Sequence, residues 1–207
     1  MTAAELRSLL DRALELVAKN EDELRDLDSA IGDGDLGITV SRGALAARKS
    51  IAALPPGSTP AEILRAAATA IASANPSSFA ALVATGLLAA SRSVAGNDAL
   101  TAGDVVTMAQ EAIVAIAKRG KAEVGDKTVL DALVPSVAAL EAASSDEPLE
   151  AMIAAARKGI ADTSAGVSRK GRAAWLGERT VGHPDPGATA YLRFLEALKQ
   201  ARSDGVT

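Results

Sequence analysis

Apolar residues recur every three or four positions along most of this 207-residue chain, which is the spacing of amphipathic helices that bury one face. The first such segment covers residues 2–19, and Thr2 with Glu5 forms a capping box at its start. Thr59 opens a later segment with Pro60 in the first helical position. The helices predicted after the first cover residues 38–53, 59–74, 75–94, 101–119, 128–143, 148–166 and 187–201.

Eight helices of similar length, joined mostly by short polar loops, predict antiparallel neighbours. The apolar fraction of 48% includes only four aromatic residues, and faces rich in alanine allow close helix packing. These features predict an all-α fold, either a single bundle or a closed helical barrel, in one domain over residues 1–207. The polar stretch 144–147 is too short to be a linker between domains.

The charge and cysteine content exclude several classes of function. The 26 acidic residues outnumber the 22 basic ones, giving a net charge of -4 without a dense basic run, so we expect no nucleic-acid partner. The chain has no cysteine, so a metal must be held by oxygen ligands or by His183. The N-terminal sequence lacks a basic region followed by an apolar one, and no stretch has 18 consecutive apolar residues. We therefore expect a cytoplasmic protein that does not enter membranes.

Three aspartates lie in the segment 27–37, which we call the aspartate loop: Asp28, Asp33 and Asp35, the last two alternating with glycines. The longer connection 20–37 is predicted to be a loop. Such closely spaced carboxylates repel one another, and oxygen-rich clusters bind Mg²⁺ together with phosphate oxygens. The alternative is a glycine-rich turn whose aspartates cap the helix beginning at Ile38. From the spacing alone, both interpretations stand.

A second long connection, the 167–186 segment, is also rich in glycine and charge. Arg172 is suited to pair with phosphate, although an arginine in a loop is more often simply solvated. Asp185 is placed to cap the final helix, and His183 is more typical of a turn than of a catalytic base. We expect Trp175 to cover an edge of the core.

A third candidate is the helix start at Asn75-Pro76-Ser77-Ser78. The free backbone amides at the beginning of a helix attract anions, and the hydroxyl groups of Ser77 and Ser78 could add donors. Most such starts carry only a cap.

Three motifs in this order resemble one family: LDxxIGDGDxG at 27–37, GKAxxGDKTxLDAL at 120–133, and GRAxxLGERxxGHxDPGA at 171–188. The family comprises the nucleotide-binding L subunits of bacterial dihydroxyacetone kinases (DhaL) and the similar C-terminal domain of ATP-dependent dihydroxyacetone kinases. The resemblance spans nearly the whole chain. It implies a closed barrel of eight antiparallel, up-and-down helices that binds an adenine nucleotide and two magnesium ions at one end.

The resemblance also implies roles for individual residues. Asp28, Asp33 and Asp35 would ligate the metals, Arg172 would contact the phosphates, and the 167–186 segment would close as a lid. The residues implied to contact the nucleotide are Thr39, Ser77, Ser78, Gly120, Arg172, Asp185 and Gly187.

The same resemblance implies a kinase subunit whose phosphoryl group passes to a small hydroxyketone held on a partner K subunit. ADP could stay bound and be rephosphorylated by a phosphotransferase-system partner, or ATP could exchange freely. Whether the chain forms a homodimer is left open.

Three positions depart from the family pattern. The family usually has histidine where Leu36 stands and asparagine where Thr39 stands, and Phe79 adds bulk to a helix start that is glycine-rich in the family. These departures suggest an alternative function, a non-catalytic nucleotide-binding regulatory partner with an altered phosphate site.

Overall fold

The computed structural model describes residues 1–143 and 147–205, and this part of the chain is built from helices. The all-α prediction is therefore confirmed. The helices are α1 (Ala3–Ala18), α2 (Glu21–Ile31), α3 (Leu36–Ala52), α4 (Pro60–Ala74), α5 (Ser78–Ser93), α6 (Ala102–Gly120), α7 (Leu130–Ala142), α8 (Pro148–Ser164), a 3₁₀ segment (Ala173–Thr180) and α9 (Pro186–Asp204).

Local capping signals place the helix starts. A threonine opens each of α1, α4 and α6, and its hydroxyl oxygen accepts a hydrogen bond from the backbone N–H three residues on, where an acidic side chain returns the bond. The predicted helix over 75–94 begins later, at Ser78, because Asn75 has extended backbone geometry and Ser77 provides the cap.

The connection 20–37 was wrongly predicted to be a loop throughout. Helix α2 fills its first part, which brings the count to nine α-helices among the described residues rather than eight. Its sequence is dominated by charge and gives few apolar positions to follow, but Leu24 and Ile31 are buried on one face. Three residues of the stretch 144–147, interpreted above as too short for a linker, lie outside the described residues.

The helices pack mostly in chain order, and α9 also packs against α1. The guanidinium of Arg7, near the start of α1, donates to the carbonyl oxygens of Leu54 and Pro55 just beyond the end of α3, so these two helices run antiparallel. The largest apolar cluster joins α1, α3, α4, α5 and α9, and a second joins α7, α8 and α9. Within residues 1–143 and 147–205, none of the helices combines the length and apolar character needed to cross a bilayer.

Candidate metal and phosphate site

Carboxylate oxygens of Asp28, Asp33 and Asp35 lie within 4.8 Å of one another. Asp28 comes from the last turns of α2, Asp33 from the turn that follows, and Asp35 from the residue preceding α3. The three side chains therefore converge where one helix ends and the next begins. Three carboxylates at this separation form a ligand set suited to a hard divalent cation such as Mg²⁺.

Glycines allow the chain to turn tightly between the two helices. Gly34 has φ of +75°, a conformation that side chains disfavour. A Cβ atom on Gly37 would stand 2.0 Å from the carbonyl oxygen of Glu21, so the first turn of α3 lies directly against the start of α2. This close approach carries Asp35 toward Asp28.

One of the three aspartates does cap α3, as the alternative interpretation of the loop has it, but it is Asp28 and not the adjacent Asp35. Asp35 precedes the helix, but its side chain makes no capping hydrogen bond. Asp28 reaches across from α2 instead, and its Oδ2 accepts from the backbone N–H of Leu36 at 3.2 Å. Burial, assisted by the charge of Asp28, raises the pKa of Asp35, which means that the ionised form is disfavoured where it stands.

Arg172 brings the 167–186 segment onto this cluster. Its guanidinium forms an ion pair with Asp33 and a longer one with Asp35, at 3.4 Å. The structure thus joins two segments more than 130 positions apart in sequence. The Arg172 side chain is 49% exposed, so a phosphate group could approach it from solvent.

The helix start at Ser78 lies beside the first turn of α3. The Nδ2 of Asn75 donates to the Oγ1 of Thr39 at 2.6 Å, and Thr39 itself is buried. The Oγ of Ser77 accepts from the backbone N–H of Ala80 at 3.1 Å, so its hydroxyl serves as the cap of α5. Sequence reasoning did not find the contact of Asn75 with Thr39, because nothing local couples positions 36 residues apart.

Two of the departures from the family pattern pack into one apolar cluster. Leu36 is buried with Leu24 and Ala190, and Phe79 packs against the same group. The leucine therefore follows the burial preference of its side chain within this group.

The remaining candidates lie around the same end of the molecule. Asp185 caps α9 by accepting from the backbone N–H of Ala188 at 2.7 Å, as predicted. A Cβ atom on Gly187 would stand 3.2 Å from the Phe79 ring, and one on Gly120 would stand 3.5 Å from the Leu82 side chain of α5. Burial raises the pKa of Asp185 to about 7, and the charges of Asp131 and Asp28 act in the same direction.

The prediction for Trp175 was wrong. Its side chain is 90% exposed, because it lies in the short 3₁₀ segment, and it belongs to none of the four apolar clusters that residues 1–143 and 147–205 form. Lys127 lies in the second of the three motifs, where the sequence predicts no role for it, and its side chain is fully buried.

Comparisons with known proteins identify the family of the chain. The model of the DAK2 domain matches residues 30–200. The chain is 29% identical over 209 residues to the ADP-binding subunit DhaL of the PEP-dependent dihydroxyacetone kinase of Escherichia coli K12, covering 99% of both chains. It is 32% identical over 186 residues to the DhaL subunit of the PEP-dependent dihydroxyacetone kinase 1 of Listeria innocua, covering 90% of each.

The fold is also shared with a solved structure. The crystal structure of the dihydroxyacetone kinase from C. freundii in complex with AMP-PNP and Mg²⁺ superposes with a TM-score of 0.77. The similarity, at 23% identity, covers 97% of this chain and 34% of that one. The chain belongs to the DAK2 domain family.

Proposed function

We propose that this chain is the nucleotide-binding subunit of a dihydroxyacetone-type kinase, which binds ADP or ATP with two magnesium ions and transfers a phosphoryl group to a small hydroxyketone. The observation that carries the proposal is the convergence of Asp28, Asp33 and Asp35 under the guanidinium of Arg172. Relatives covering nearly the whole chain are named ADP-binding subunits of such kinases.

In this proposal the three carboxylates hold the metal. A magnesium ion held there would supply positive charge that offsets the charge developing on the transferred phosphoryl group. Arg172 pairs with Asp33 and Asp35, and its guanidinium would donate to phosphate oxygens of a bound nucleotide. The chain therefore contributes positioning and positive charge rather than a covalent intermediate.

The remaining residues of this end complete the nucleotide site. We assign Thr39, Ser77 and Ser78 to the phosphate side, because Asn75 and the cap of α5 hold this helix start beside α3. Gly120, Asp185 and Gly187 border the nucleotide from the ends of α6 and α9. The 167–186 segment acts as the lid.

We further propose that α1 and α3–α9 close into a barrel of eight antiparallel helices in a single domain over residues 1–207. The packing of α9 against α1 supports this arrangement. Helix α2 is then an addition that delivers Asp28 to the open end of the barrel.

The hydroxyketone is held on a partner K subunit, and the protein acts in the cytoplasm. The phosphoryl donor is either a phosphotransferase-system protein that recharges retained ADP or freely exchanging ATP. Native mass spectrometry of the purified protein distinguishes the two, since retained ADP adds its mass to the chain.

A reconstitution assay tests the activity. The chain is mixed with a bacterial K subunit, dihydroxyacetone, Mg²⁺ and either ATP or the phosphotransferase-system proteins, and dihydroxyacetone phosphate is measured. We expect turnover with the wild type and a loss of about 100-fold or more in Asp33→Asn, in the range found when one charge-stabilising group is removed. The matched control is Asp98→Asn, an exposed aspartate between α5 and α6, which should keep full activity.

The packing of Leu36 with Phe79 favours one alternative, a nucleotide-binding regulatory partner. The apolar cluster occupies positions where the related subunits are expected to present a histidine and small residues to the phosphates. A regulatory protein would bind Mg²⁺-ADP but give no turnover with any short-chain ketose in the reconstitution assay. Measurable phosphoryl transfer would rule it out.

A further inference from the structure

Lys127 is a buried cation that the proposed chemistry does not use. It is 2% exposed and is the largest fully buried side chain in the described part of the protein. Its Nζ donates to the carbonyl oxygens of Ser164 at 3.0 Å, Gly166 at 2.8 Å and Thr180 at 2.6 Å. An ammonium group has three donors, so all of them are used on backbone acceptors.

These three acceptors lie on either side of Arg172, two of them just before the 167–186 segment and one within it. Ser164 is the last residue of α8, and Gly166 lies two residues further on. Thr180 is the last residue of the 3₁₀ segment. One buried ammonium group therefore joins the chain before Arg172 to the chain after it.

Neighbouring hydrogen bonds complete the same junction. The backbone N–H of Ser168 donates to the Oγ1 of Thr180 at 2.9 Å, and that of Gly182 donates to the Ser164 carbonyl at 2.8 Å. The backbone N–H of Arg169 donates to the carbonyl oxygen of Asp126, the residue before Lys127, at 3.0 Å. Arg169 is held in this way three residues before Arg172.

Burial of a cation without a paired carboxylate is costly unless hydrogen bonds replace its water. Desolvation lowers the pKa of Lys127, and the charge of Asp185 partly opposes this effect. An apolar side chain of similar length would fill the space but could not join the three carbonyl groups. The backbone of Lys127 also has φ of +61°, so its position is held by the surrounding structure.

We propose that Lys127 is a positioning residue that ties Thr180 to the chain just before the 167–186 segment and so places Arg172, which lies between these contacts, over the aspartate cluster. The proposal rests on the proposed function, because the consequence is an effect on Mg²⁺-ADP affinity that passes through Arg172. Lys127 itself touches neither metal nor nucleotide in this account.

Three variants and two measurements test the proposal. Lys127→Met removes the ammonium group, Arg172→Gln removes the guanidinium, and the double variant completes a thermodynamic cycle. Hydrogen exchange reports on the amides of Ser168 and Gly182 without ligand, and calorimetric titration of ADP in the presence of Mg²⁺ reports affinity. Lys158→Met is the matched control, since Lys158 lies on the exposed face of α8 and pairs with Asp162.

We expect Lys127→Met to speed hydrogen exchange at the Ser168 and Gly182 amides about tenfold or more, because a local contact is lost. Lys158→Met should leave the exchange rates of both amides unchanged. Mg²⁺-ADP affinity should fall about tenfold in the wild-type background but less than about twofold in the Arg172→Gln background, because coupled residues are not additive. A purely structural lysine would lower affinity equally in both backgrounds. That additive result, or unchanged exchange, would overturn the proposal.

The Met variant should fold, because two of the three carbonyls keep other donors. The Ser164 oxygen still accepts from Gly182, and the Thr180 oxygen accepts from the backbone N–H of His183 at 3.2 Å. If Lys127→Met does not fold, Lys127→Gln replaces it, since an uncharged amide with two N–H donors cannot join all three carbonyl groups, and the same cycle with Arg172→Gln applies.

The two proposals fail in different ways. A wild-type protein without measurable Mg²⁺-ADP affinity would overturn both of them. A wild-type protein that binds Mg²⁺-ADP but gives an additive cycle would overturn the positioning role alone.

Discussion

Replacing Asp35 by asparagine should stabilise the protein without ligand and weaken its response to Mg²⁺-ADP. The raised pKa of Asp35 shows that burial and the charge of Asp28 disfavour its ionised form in the folded state. At neutral pH the carboxylate is ionised in the unfolded chain, so its charge lowers the free energy of unfolding. The amide removes that charge, and no capping hydrogen bond is lost with it.

The size of the effect follows from the distances. At 4.8 Å or less and an effective dielectric constant near 20, each of the two neighbouring carboxylates repels Asp35 by about 3.5 kcal/mol. The ion pair with Arg172 at 3.4 Å offsets about 5 kcal/mol on the same scale. The repulsions exceed the attraction by about 2 kcal/mol, and with 43% of the side chain exposed we expect about 1 kcal/mol to survive screening.

Thermal unfolding measures both parts of the prediction. A gain of about 1 kcal/mol raises the Tm of a chain of this length by about 2 to 4 °C in EDTA. Mg²⁺-ADP at about 100 times its Kd should add about 2.7 kcal/mol to the wild type, or about 5 to 11 °C. We expect the variant to respond much less, so that the order of the two Tm values reverses when ligand is added.

Asp98→Asn serves as the control, and its Tm should follow the wild type under both conditions. A variant that is less stable than the wild type in EDTA would contradict the assigned charge repulsion. A variant with the full Mg²⁺-ADP shift would show that Asp35 is not part of the metal site.

Gly37→Ala should lower the free energy of unfolding by several kcal/mol, because its Cβ would stand 2.0 Å from a carbonyl oxygen of α2. Urea unfolding measures this effect. Gly43→Ala in the same helix is the control and should be neutral or stabilising, because its Cβ would meet its nearest neighbour at 3.5 Å. Asp185 has a folded-state pKa of about 7, raised from 3.8 by burial, so the native state holds a proton that the unfolded state has lost. Its contribution to stability is present below pH 4 and is lost as the pH rises to about 7, at up to about 1.4 kcal/mol per pH unit. Urea titrations at several pH values should show this slope in the wild type and its loss in Asp185→Asn. Asn75→Ala should cost about 1 kcal/mol because it leaves the buried hydroxyl of Thr39 without its donor, and unchanged urea unfolding would show that the contact contributes nothing.

The sequence predicted the features that depend on near neighbours. Capping boxes at Thr2, Thr59 and Thr101 lie within four residues of the helices they open, so their positions could be found directly. The alternating glycines and aspartates at 32–37 likewise indicated a tight turn with converging carboxylates. Helix α2 was missed because its sequence is dominated by charge and lies beside the aspartate loop. Leu24, Leu27 and Ile31 nevertheless recur at helical spacing, and Leu24 and Ile31 are buried.

Contacts between distant segments were beyond the sequence pattern. The pairing of Arg172 with the aspartate loop, the capping of α3 by Asp28, and the bond from Asn75 to Thr39 each depend on the packed arrangement of helices. The same holds for Lys127, whose three carbonyl partners lie 37 to 53 positions away. Asp28, Thr39 and Lys127 are polar and at least partly buried, so their partners are set by the fold as a whole.

Calorimetric titration of ADP into the wild type and Asp33→Asn, each with and without Mg²⁺, tests the metal assignment most directly. We expect the wild type to bind ADP tightly only when Mg²⁺ is present. Asp33→Asn should lose affinity by about 100-fold or more, the scale of removing a hydrogen-bonded or metal-bound charge from a site, while Asp98→Asn binds like the wild type. Equal affinity of the wild type and Asp33→Asn would contradict the assignment of the aspartate cluster to the metal.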